Sequence, residues 1–183
     1  MAAEPRERYA KKNEAQELRR AFDRLDFKGD GKVDAEELGM FFKQMGHRAK
    51  KSEVADMIWE IDDKFVSWPE FQAMYQRCRK DKTGYEPRRL FNVVEFIIND
   101  KDNSGTVSVE EAMQILYVRY GKACLDSQLQ EIFGTSDTNS TKTLTLSEYL
   151  SSLYESQIKM LRAKINSKGY EAPQPGSTRS SGL

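Results

Sequence analysis

The sequence is poor in the residues on which enzymes and disulfide-bonded proteins commonly rely. It has one histidine and two cysteines in 183 residues. His47 follows Gly46 at the end of a predicted helix, a position typical of carbonyl capping, so general acid–base chemistry has few candidate groups. No Ser/His/Asp set, phosphate-binding loop or metal-hydrolase spacing occurs, which predicts a protein without catalytic activity. Cys78 and Cys124 form no CxxC pair, and we expect reduced, inert thiols, with a redox role as the alternative.

Long apolar runs and an excess of one charge are also missing. The apolar stretches are only a few residues long, too short to span a bilayer. The first residues are charged, with no apolar segment and no glycine after the first methionine, so we expect neither secretion nor myristoylation. The formal net charge is zero, and no basic recognition helix or zinc spacing indicates nucleic-acid binding. The composition favours a soluble, helix-rich protein, and without a secretory segment we expect a cytoplasmic location.

What the sequence does contain is a fourfold repeat centred on glutamate. The four glutamates recur at intervals of 33, 41 and 37 residues: Glu37, Glu70, Glu111 and Glu148. Three positions before each lies an Asp, Ser or Thr, and this spacing is the capping box that begins a helix. Four positions before each lies an apolar residue suited to a strand: Val33, Val66, Val107 and Leu144. Amphipathic helical patterns flank every box, which predicts four helix–loop–helix units.

These units predict an all-α fold in which neighbouring units pair. A single unit leaves one helix face and the edge of its short strand uncovered, so we expect two paired lobes. Val33 should then lie opposite Val66, and Val107 opposite Leu144, in short antiparallel strand pairs. The expected organisation is an N-terminal extension (1–13), a first pair (14–80), a basic linker (81–87), a second pair with an extended last helix (88–168) and a disordered tail (169–183).

The polar segment that ends at Glu111, here called loop three (100–111), has the pattern of a Ca²⁺ site. Ca²⁺ takes about seven oxygens from a 12-residue loop, through positions 1, 3, 5, 7, 9 and 12, with a glycine turn at position 6. Gly105 supplies the turn. The predicted ligands are Asp100, Asp102, Ser104, Thr106, Ser108 and Glu111. Three anionic ligands favour a sensor-range dissociation constant, on the order of 10⁻⁷–10⁻⁵ M. The alternative is a loop kept only for its fold.

Loop one (26–37) matches the same template in part. Its matching residues are Asp26, Asp30, Lys32, Asp34 and Glu37, but Lys28 stands at position 3. An ammonium group there removes one oxygen ligand and repels a dication, although the long side chain can swing outward. We therefore expect an impaired loop that does not bind Ca²⁺ physiologically.

The remaining two loops depart further from the template. Loop four (137–148) offers a possible weak set: Asp137, Asn139, Thr141, Thr143 and Glu148. Its position 6 is Lys142, where the turn should impose a left-handed backbone on a non-glycine residue. A weak site and a purely structural loop are both consistent with this pattern. Loop two (62–70) has only nine residues and lacks the middle ligands, so we expect it to bind no Ca²⁺ and Glu70 to serve as a helix cap.

Two further segments are candidates for protein contacts. One is a basic junction, which fits either an acidic partner or a solvated linker: Arg77, Arg79, Lys80 and Lys82. The other is an apolar stripe on the last helix, which fits either its own lobe or a partner helix: Tyr154, Ile158, Leu161 and Ile165.

The four-unit pattern of residues 14–165 resembles the calmodulin and troponin C superfamily of EF-hand proteins. Loop three, DKDNSGTVSVEE, is the specific match, and MIWEID is similar to the corresponding calmodulin helix. The short loop two, the basic linker and the few methionines at groove positions depart from that superfamily. The chain more closely resembles the small EF-hand subunit of the ciliary outer dynein arm docking complex. That resemblance is carried by the degenerate first pair, the extended last helix and the run GYEPRRLFNVVEFIINDKDNSGTVSVEEAMQILYVRYG.

The resemblance to the docking-complex subunit implies a role and a location. Ca²⁺ would be the cofactor, and the chain would be a monomer within a hetero-complex in the axoneme of a cilium or flagellum. Its partners would be coiled-coil docking proteins on doublet microtubules. Our leading interpretation is a Ca²⁺-responsive structural subunit of such an assembly. The alternative is a free calmodulin-like sensor that binds an amphipathic target helix. A Ca²⁺ buffer is disfavoured because only one loop is intact.

Overall fold

The computed structural model of the chain describes residues 5–81, 83–113, 126, 129, 130, 133, 134 and 141–167. This part is mostly helical and contains two small antiparallel strand pairs, which is consistent with an EF-hand fold. The helices are α1 (Pro5–Leu25), α2 (Ala35–Gln44), α3 (Lys51–Trp59), α4 (Trp68–Lys80), α5 (Arg89–Asn99) and α6 (Leu146–Ser167). Further helical residues lie at 109–113, 126, 129–130 and 133. The strands are β1 (Lys32–Asp34), β2 (Phe65–Ser67), β3 (Thr106–Ser108) and β4 (Thr143–Thr145).

The strand pairs have the register that the sequence predicts. In β1–β2, Val33 lies opposite Val66, and in β3–β4, Val107 lies opposite Leu144. All four side chains are buried. Each strand is three residues long, so the central apolar side chain faces the core while its neighbours face outward. No helix in the described segments has both the length and the apolar character to cross a membrane.

Capping boxes begin the helices that follow the strands, as predicted. In the first, Asp34 Oδ1 accepts the Glu37 backbone N–H at 2.9 Å, and Glu37 Oε2 accepts the Asp34 backbone N–H at 3.1 Å. The other three glutamates accept the backbone N–H of the residue three positions earlier in the same way: Glu70, Glu111 and Glu148. These bonds satisfy backbone donors that a helix start leaves free.

Helix α5 lies at the centre of the described part of the molecule. Its residues from Leu90 to Asn99 are all buried, including three polar ones: Asn92, Glu95 and Asn99. A helix that is buried on all its faces must pack against neighbouring elements on several sides. Tyr75 of α4 donates a hydrogen bond to Glu95 at 2.8 Å, and Arg20 of α1 donates to the carbonyl of Ile98 at 3.0 Å. Residues from both predicted pairs therefore share one hydrophobic core.

The predicted basic linker is a hydrogen-bonded turn centred on Asp81. Its Oδ1 accepts the Thr83 hydroxyl at 2.5 Å, and its Oδ2 accepts the Gly84 backbone N–H at 2.9 Å. The Thr83 hydroxyl bond is the main reason why the pKa of Asp81 is well below its ordinary value. Arg88 donates to the carbonyls of Cys78 at 3.0 Å and Asp81 at 2.8 Å. These bonds hold the start of α5 against the end of α4.

Candidate metal centre

Loop three begins at the buried end of α5. The Asp100 carboxylate is fully buried, and its Oδ2 accepts the Gly105 backbone N–H at 3.2 Å. Ser104 Oγ lies 3.3 Å from Asp100 Oδ1 and 3.1 Å from the carbonyl oxygen of Thr106. The loop thus brings a carboxylate, a hydroxyl and a carbonyl together, and such hard oxygen donors are those that Ca²⁺ takes.

The backbone of loop three turns twice through the left-handed region. Asn103 at position 4 has φ 57° and Gly105 at position 6 has φ 79°. Loop one has the same two turns, at Gly29 with φ 67° and Gly31 with φ 80°. Glycine adopts this conformation without strain, and asparagine is among the few other residues that tolerate it. Both loops therefore make left-handed turns at positions 4 and 6, and loop three has the glycine turn that the Ca²⁺ template requires at position 6.

Two more of the predicted ligands of loop three are Asp102 and Glu111. Asp102 is exposed, and hydrogen bonds from Ser104, led by its side chain, hold the pKa of Asp102 below its ordinary value. Glu111 Oε2 accepts the Ser108 N–H and hydroxyl, both at 2.9 Å. No group of three or more acidic, histidine or cysteine residues in the described segments is arranged as a metal cluster. The structure brings Asp100, Ser104 and Thr106 together, and it holds Glu111 as a helix cap.

Two arginines of α1 contact loop three, which the sequence did not predict. Arg24 Nη1 lies 2.9 Å from Asp100 Oδ2. Arg20, one helical turn earlier, donates to the carbonyl of Lys101 at 3.1 Å. Arg24 and Asp100 are 76 residues apart in sequence, and no local pattern relates two residues at that separation.

The side chain of Lys28 places a positive charge in loop one. The Lys28 ammonium lies 2.5 Å from Asp34 Oδ2 and 3.6 Å from Glu36 Oε2. The bond with Asp34 raises the pKa of Lys28. Burial raises the pKa of Asp34, but its hydrogen bonds with Lys28 and Glu37 outweigh burial and bring that pKa below its ordinary value. The Lys28 ammonium is therefore paired with carboxylates of its own loop, and its side chain is 41% exposed.

The other acidic residues predicted for loop one accept hydrogen bonds from backbone N–H groups of the same loop. Asp26 Oδ2 accepts the Gly31 N–H at 2.9 Å, and Asp30 Oδ1 accepts the Lys32 N–H at 3.0 Å. Glu37 Oε1 accepts the backbone N–H of Lys28 at 3.0 Å. The acidic side chains of this loop are thus bonded to the loop itself.

Loop four is described only from Thr141 onward, so Asp137 and Asn139 lie outside the described residues. Thr141 and Thr143 are exposed. Glu148 accepts the Thr145 N–H at 2.9 Å, and this bond is the main cause that lowers the pKa of Glu148. The left-handed backbone expected at Lys142 is not found: among the described non-glycine residues, only Asn103 has a positive φ. The Lys142 ammonium instead donates to the carbonyl of Phe133.

The shortened loop two leads directly into the β1–β2 pair. The Glu70 carboxylate accepts the N–H and the hydroxyl of Ser67, at 2.8 and 2.6 Å, as its predicted capping role requires. Lys64 N–H donates to Asp62 at 3.4 Å. Although it is short, loop two still leads into strand β2 and the start of helix α4.

The candidate partner residues occupy mixed environments. Arg77 lies 3.3 Å from Glu86, Arg79 pairs with Glu14, and Lys80 is exposed. On α6, Tyr154 is 66% exposed and Ile158 is half-buried. Three candidates cannot be placed in this way, because Lys82 and the side chains of Leu161 and Ile165 lie outside the described part of the chain.

Of the two cysteines and the single histidine, the structure describes Cys78 and His47. Cys78 is buried, its thiol contacts the Pro87 carbonyl oxygen at 3.3 Å, and burial raises its pKa to about 11. Cys124 lies outside the described residues. His47 Nδ1 lies 2.8 Å from the hydroxyl of Ser147, at the start of α6. The imidazole thus bridges α2 and α6, and burial lowers its pKa.

Comparison with known proteins finds two kinds of similarity. Residues 15–76, which contain loops one and two, match the EF-hand domain pair. The chain is similar to the probable calcium-binding protein CML27 of Arabidopsis thaliana, with 29% identity over 161 residues and 86% of each chain covered. It is also similar to CML25 of the same plant, 28% identical over 140 residues (75% of this chain and 73% of that one), and to CML8 of Oryza sativa subsp. japonica, 27% identical over 134 residues (73% and 69%). These likenesses support the EF-hand superfamily and Ca²⁺ as the ligand.

Proposed function

We propose that this protein is a Ca²⁺-binding regulatory subunit of a larger assembly, and that its Ca²⁺ site is loop three, Asp100 to Glu111. The observation that carries the proposal is the contrast between loops one and three. They share the left-handed turns at positions 4 and 6, but loop one holds the Lys28 ammonium 2.5 Å from Asp34, whereas loop three has Asp102 at the position equivalent to Lys28. Loop three therefore offers an oxygen where loop one has a positive charge.

The first pair needs no ion to keep its shape in this proposal. Lys28 pairs with Asp34 and Glu36 of loop one, and loop two keeps only its strand and its Glu70 cap. A pair without an exchangeable ion is not switched directly by Ca²⁺, so it suits constitutive contact with a partner. The second pair then supplies the response. EF-hand proteins of this kind are regulatory, and we propose no catalytic activity.

The assembly we propose is the outer dynein arm docking complex of the axoneme, with coiled-coil docking proteins as partners. The resemblance of the run from Gly84 to Gly121, together with the degenerate first pair, supports this choice. Helix α6 offers one contact surface, because Tyr154 is largely exposed and Ile158 is only half-buried. An apolar stripe on a helix is suited to packing against a partner helix.

The second candidate function is a free calmodulin-like sensor. It is favoured by the similarity to a probable calcium-binding protein over 86% of the chain. A sensor of this kind exposes an apolar groove when Ca²⁺ opens its helix pair. Here the apolar residues of α5 are buried, so a sensor role would require α5 to separate from at least one of its neighbours.

A calorimetric Ca²⁺ titration in the presence of Mg²⁺ tests the site. We expect the full-length protein to bind Ca²⁺ with a dissociation constant on the order of 10⁻⁷–10⁻⁵ M, and Glu111→Gln to lose that binding. Glu37→Gln is the matched control, because it changes the equivalent residue of loop one and should leave the stoichiometry unchanged. Loss of binding in Glu37→Gln with full binding in Glu111→Gln would place the site in loop one and contradict the proposal.

Co-purification separates the two candidate functions. A structural subunit should remain bound to coiled-coil docking proteins in excess chelator, whereas a free sensor should elute and rebind when Ca²⁺ is restored. Binding of a hydrophobic dye only after Ca²⁺ addition would favour the sensor.

A further inference from the structure

We infer that Arg24 competes with Ca²⁺ for Asp100, so that Ca²⁺ binding to loop three frees the last turn of α1 from that loop. The inference rests on the proposed function of loop three and adds to it a link between the two pairs. The competing group belongs to the first pair, which has no exchangeable ion of its own in our proposal.

The contact between Arg24 and Asp100 is a nearly buried ion pair. Nη1 lies 2.9 Å from Oδ2, and the two side chains are 19% and 0% exposed. A carboxylate removed from water is costly unless a positive charge or hydrogen bonds compensate it. Here Arg24 provides the charge, while the Gly105 N–H and the Ser104 hydroxyl provide hydrogen bonds.

The predicted Ca²⁺ ion would use the same Asp100 carboxylate that Arg24 contacts. Asp100 is position 1 of the loop, so its carboxylate would be a direct Ca²⁺ ligand. Its Oδ2 already accepts two N–H groups, from Arg24 and Gly105. A guanidinium in hydrogen-bond contact with a ligand oxygen would also lie within a few ångströms of the dication and repel it. Full occupation of the site therefore requires Arg24 to move away.

The position of Arg24 is set by α1 and its surroundings rather than by loop three alone. Its guanidinium carbon lies 5.7 Å from the centre of the Phe41 ring, and Nη2 lies 3.8 Å from the Met45 sulfur. One turn earlier, Arg20 donates to the carbonyls of Ile97 at 3.3 Å and Ile98 at 3.0 Å. Since these carbonyls belong to the end of α5 and are not loop ligands, Arg20 can keep α1 against α5 after Arg24 has moved. The change we infer is thus local to the last turn of α1.

The first test measures Ca²⁺ affinity by calorimetry in full-length Arg24→Gln. Glutamine keeps a high helix propensity and removes the charge. We expect the dissociation constant to fall by about tenfold, which corresponds to about 1.4 kcal/mol. Arg19→Gln is the matched control: Arg19 is on the same helix and pairs with Asp23 at 2.8 Å, with both side chains about half exposed. Its affinity for Ca²⁺ should equal that of the wild type.

The second test uses the unmodified protein, so it does not depend on how well a variant folds. Hydrogen–deuterium exchange of α1 peptides is compared in chelator and in saturating Ca²⁺. We expect Ca²⁺ to increase exchange at residues 22–26 by several-fold while exchange in α4 stays constant. In Arg24→Gln, exchange at 22–26 should already be high in chelator and should change little with Ca²⁺.

The outcomes separate this inference from the proposed function. Equal Ca²⁺ affinity in wild type and Arg24→Gln, or unchanged α1 exchange in the wild type, would overturn the competition and leave loop three as a Ca²⁺ site. Absence of Ca²⁺ binding in both proteins would overturn the competition and the proposed site together.

Discussion

The ammonium of Lys28 lies 2.5 Å from Asp34 Oδ2, inside a loop that makes the same two left-handed turns as loop three. The pair joins positions 3 and 9 of loop one, two positions that supply oxygens in a 12-residue Ca²⁺ loop. Loop one thus has a positive side chain at position 3, where loop three has the Asp102 carboxylate.

Replacement of Lys28 by aspartate should create a second Ca²⁺ site. Lys28→Asp restores an oxygen at position 3 and removes the charge that repels a dication, while Asp26, Asp30 and Glu37 are already present. We expect the calorimetric stoichiometry to increase by one ion. The double variant Lys28→Asp/Glu37→Gln should return to the wild-type value, and an unchanged stoichiometry in the single variant would show that loop one is blocked by more than Lys28.

Replacement of Gly105 by alanine should destabilise loop three. Its φ of 79° lies in the left-handed region, where a side chain costs roughly 1–2 kcal/mol. We expect urea unfolding in chelator to show a loss of this size, together with weaker Ca²⁺ binding. Gly39→Ala is the control, because Gly39 lies inside α2 with open space around the added methyl group, and it should be neutral or stabilising by up to about 1 kcal/mol.

The hydrogen bond from Tyr75 to Glu95 should contribute to the contact between α4 and α5. The hydroxyl donates at 2.8 Å within the core, and Tyr75→Phe removes this donor to a carboxylate that is 8% exposed. We expect a loss of about 1–3 kcal/mol in the free energy of unfolding. Tyr85→Phe, at a side chain that is 91% exposed, should change the stability by no more than about 0.5 kcal/mol.

The same tyrosine should make stability fall at alkaline pH. Burial, followed by the nearby Glu95, raises the pKa of Tyr75 above its ordinary value of 10.0. Above pH 10 the unfolded chain therefore loses this proton while the folded chain keeps it, so the free energy of unfolding decreases as pH rises. Unfolding curves between pH 9 and 11 should show a shallower decrease for Tyr75→Phe than for the wild type. Parallel curves would contradict the assignment.

Cys78 should be unreactive in the folded protein. Burial raises its thiol pKa to about 11 from an ordinary 9.0, which lowers the thiolate fraction at neutral pH by about a hundredfold. Alkylation followed by mass mapping should modify Cys78 only when the chain is unfolded in urea. Rapid modification under native conditions would favour the redox alternative.

Several features were predictable because they depend on neighbouring residues. The capping boxes at Glu37, Glu70, Glu111 and Glu148 follow from a three-residue spacing, and the strand registers follow from the central apolar residue of each short strand. The sequence places Lys28 at position 3 of loop one, but the contacts of its ammonium depend on which carboxylates lie within reach once the loop has folded.

The sequence by itself determined the helix caps and the pairing of Val33 with Val66, and it predicts one complete set of Ca²⁺ ligands between Asp100 and Glu111. All of these follow from residue type and short-range spacing, where backbone geometry leaves few alternatives. Only the tertiary structure decided that α5, of the second pair, is buried against helices of the first pair and that Arg24 faces Asp100. That contact joins residues 76 positions apart, and it arises from the packing of α1 against α5, which no local pattern specifies.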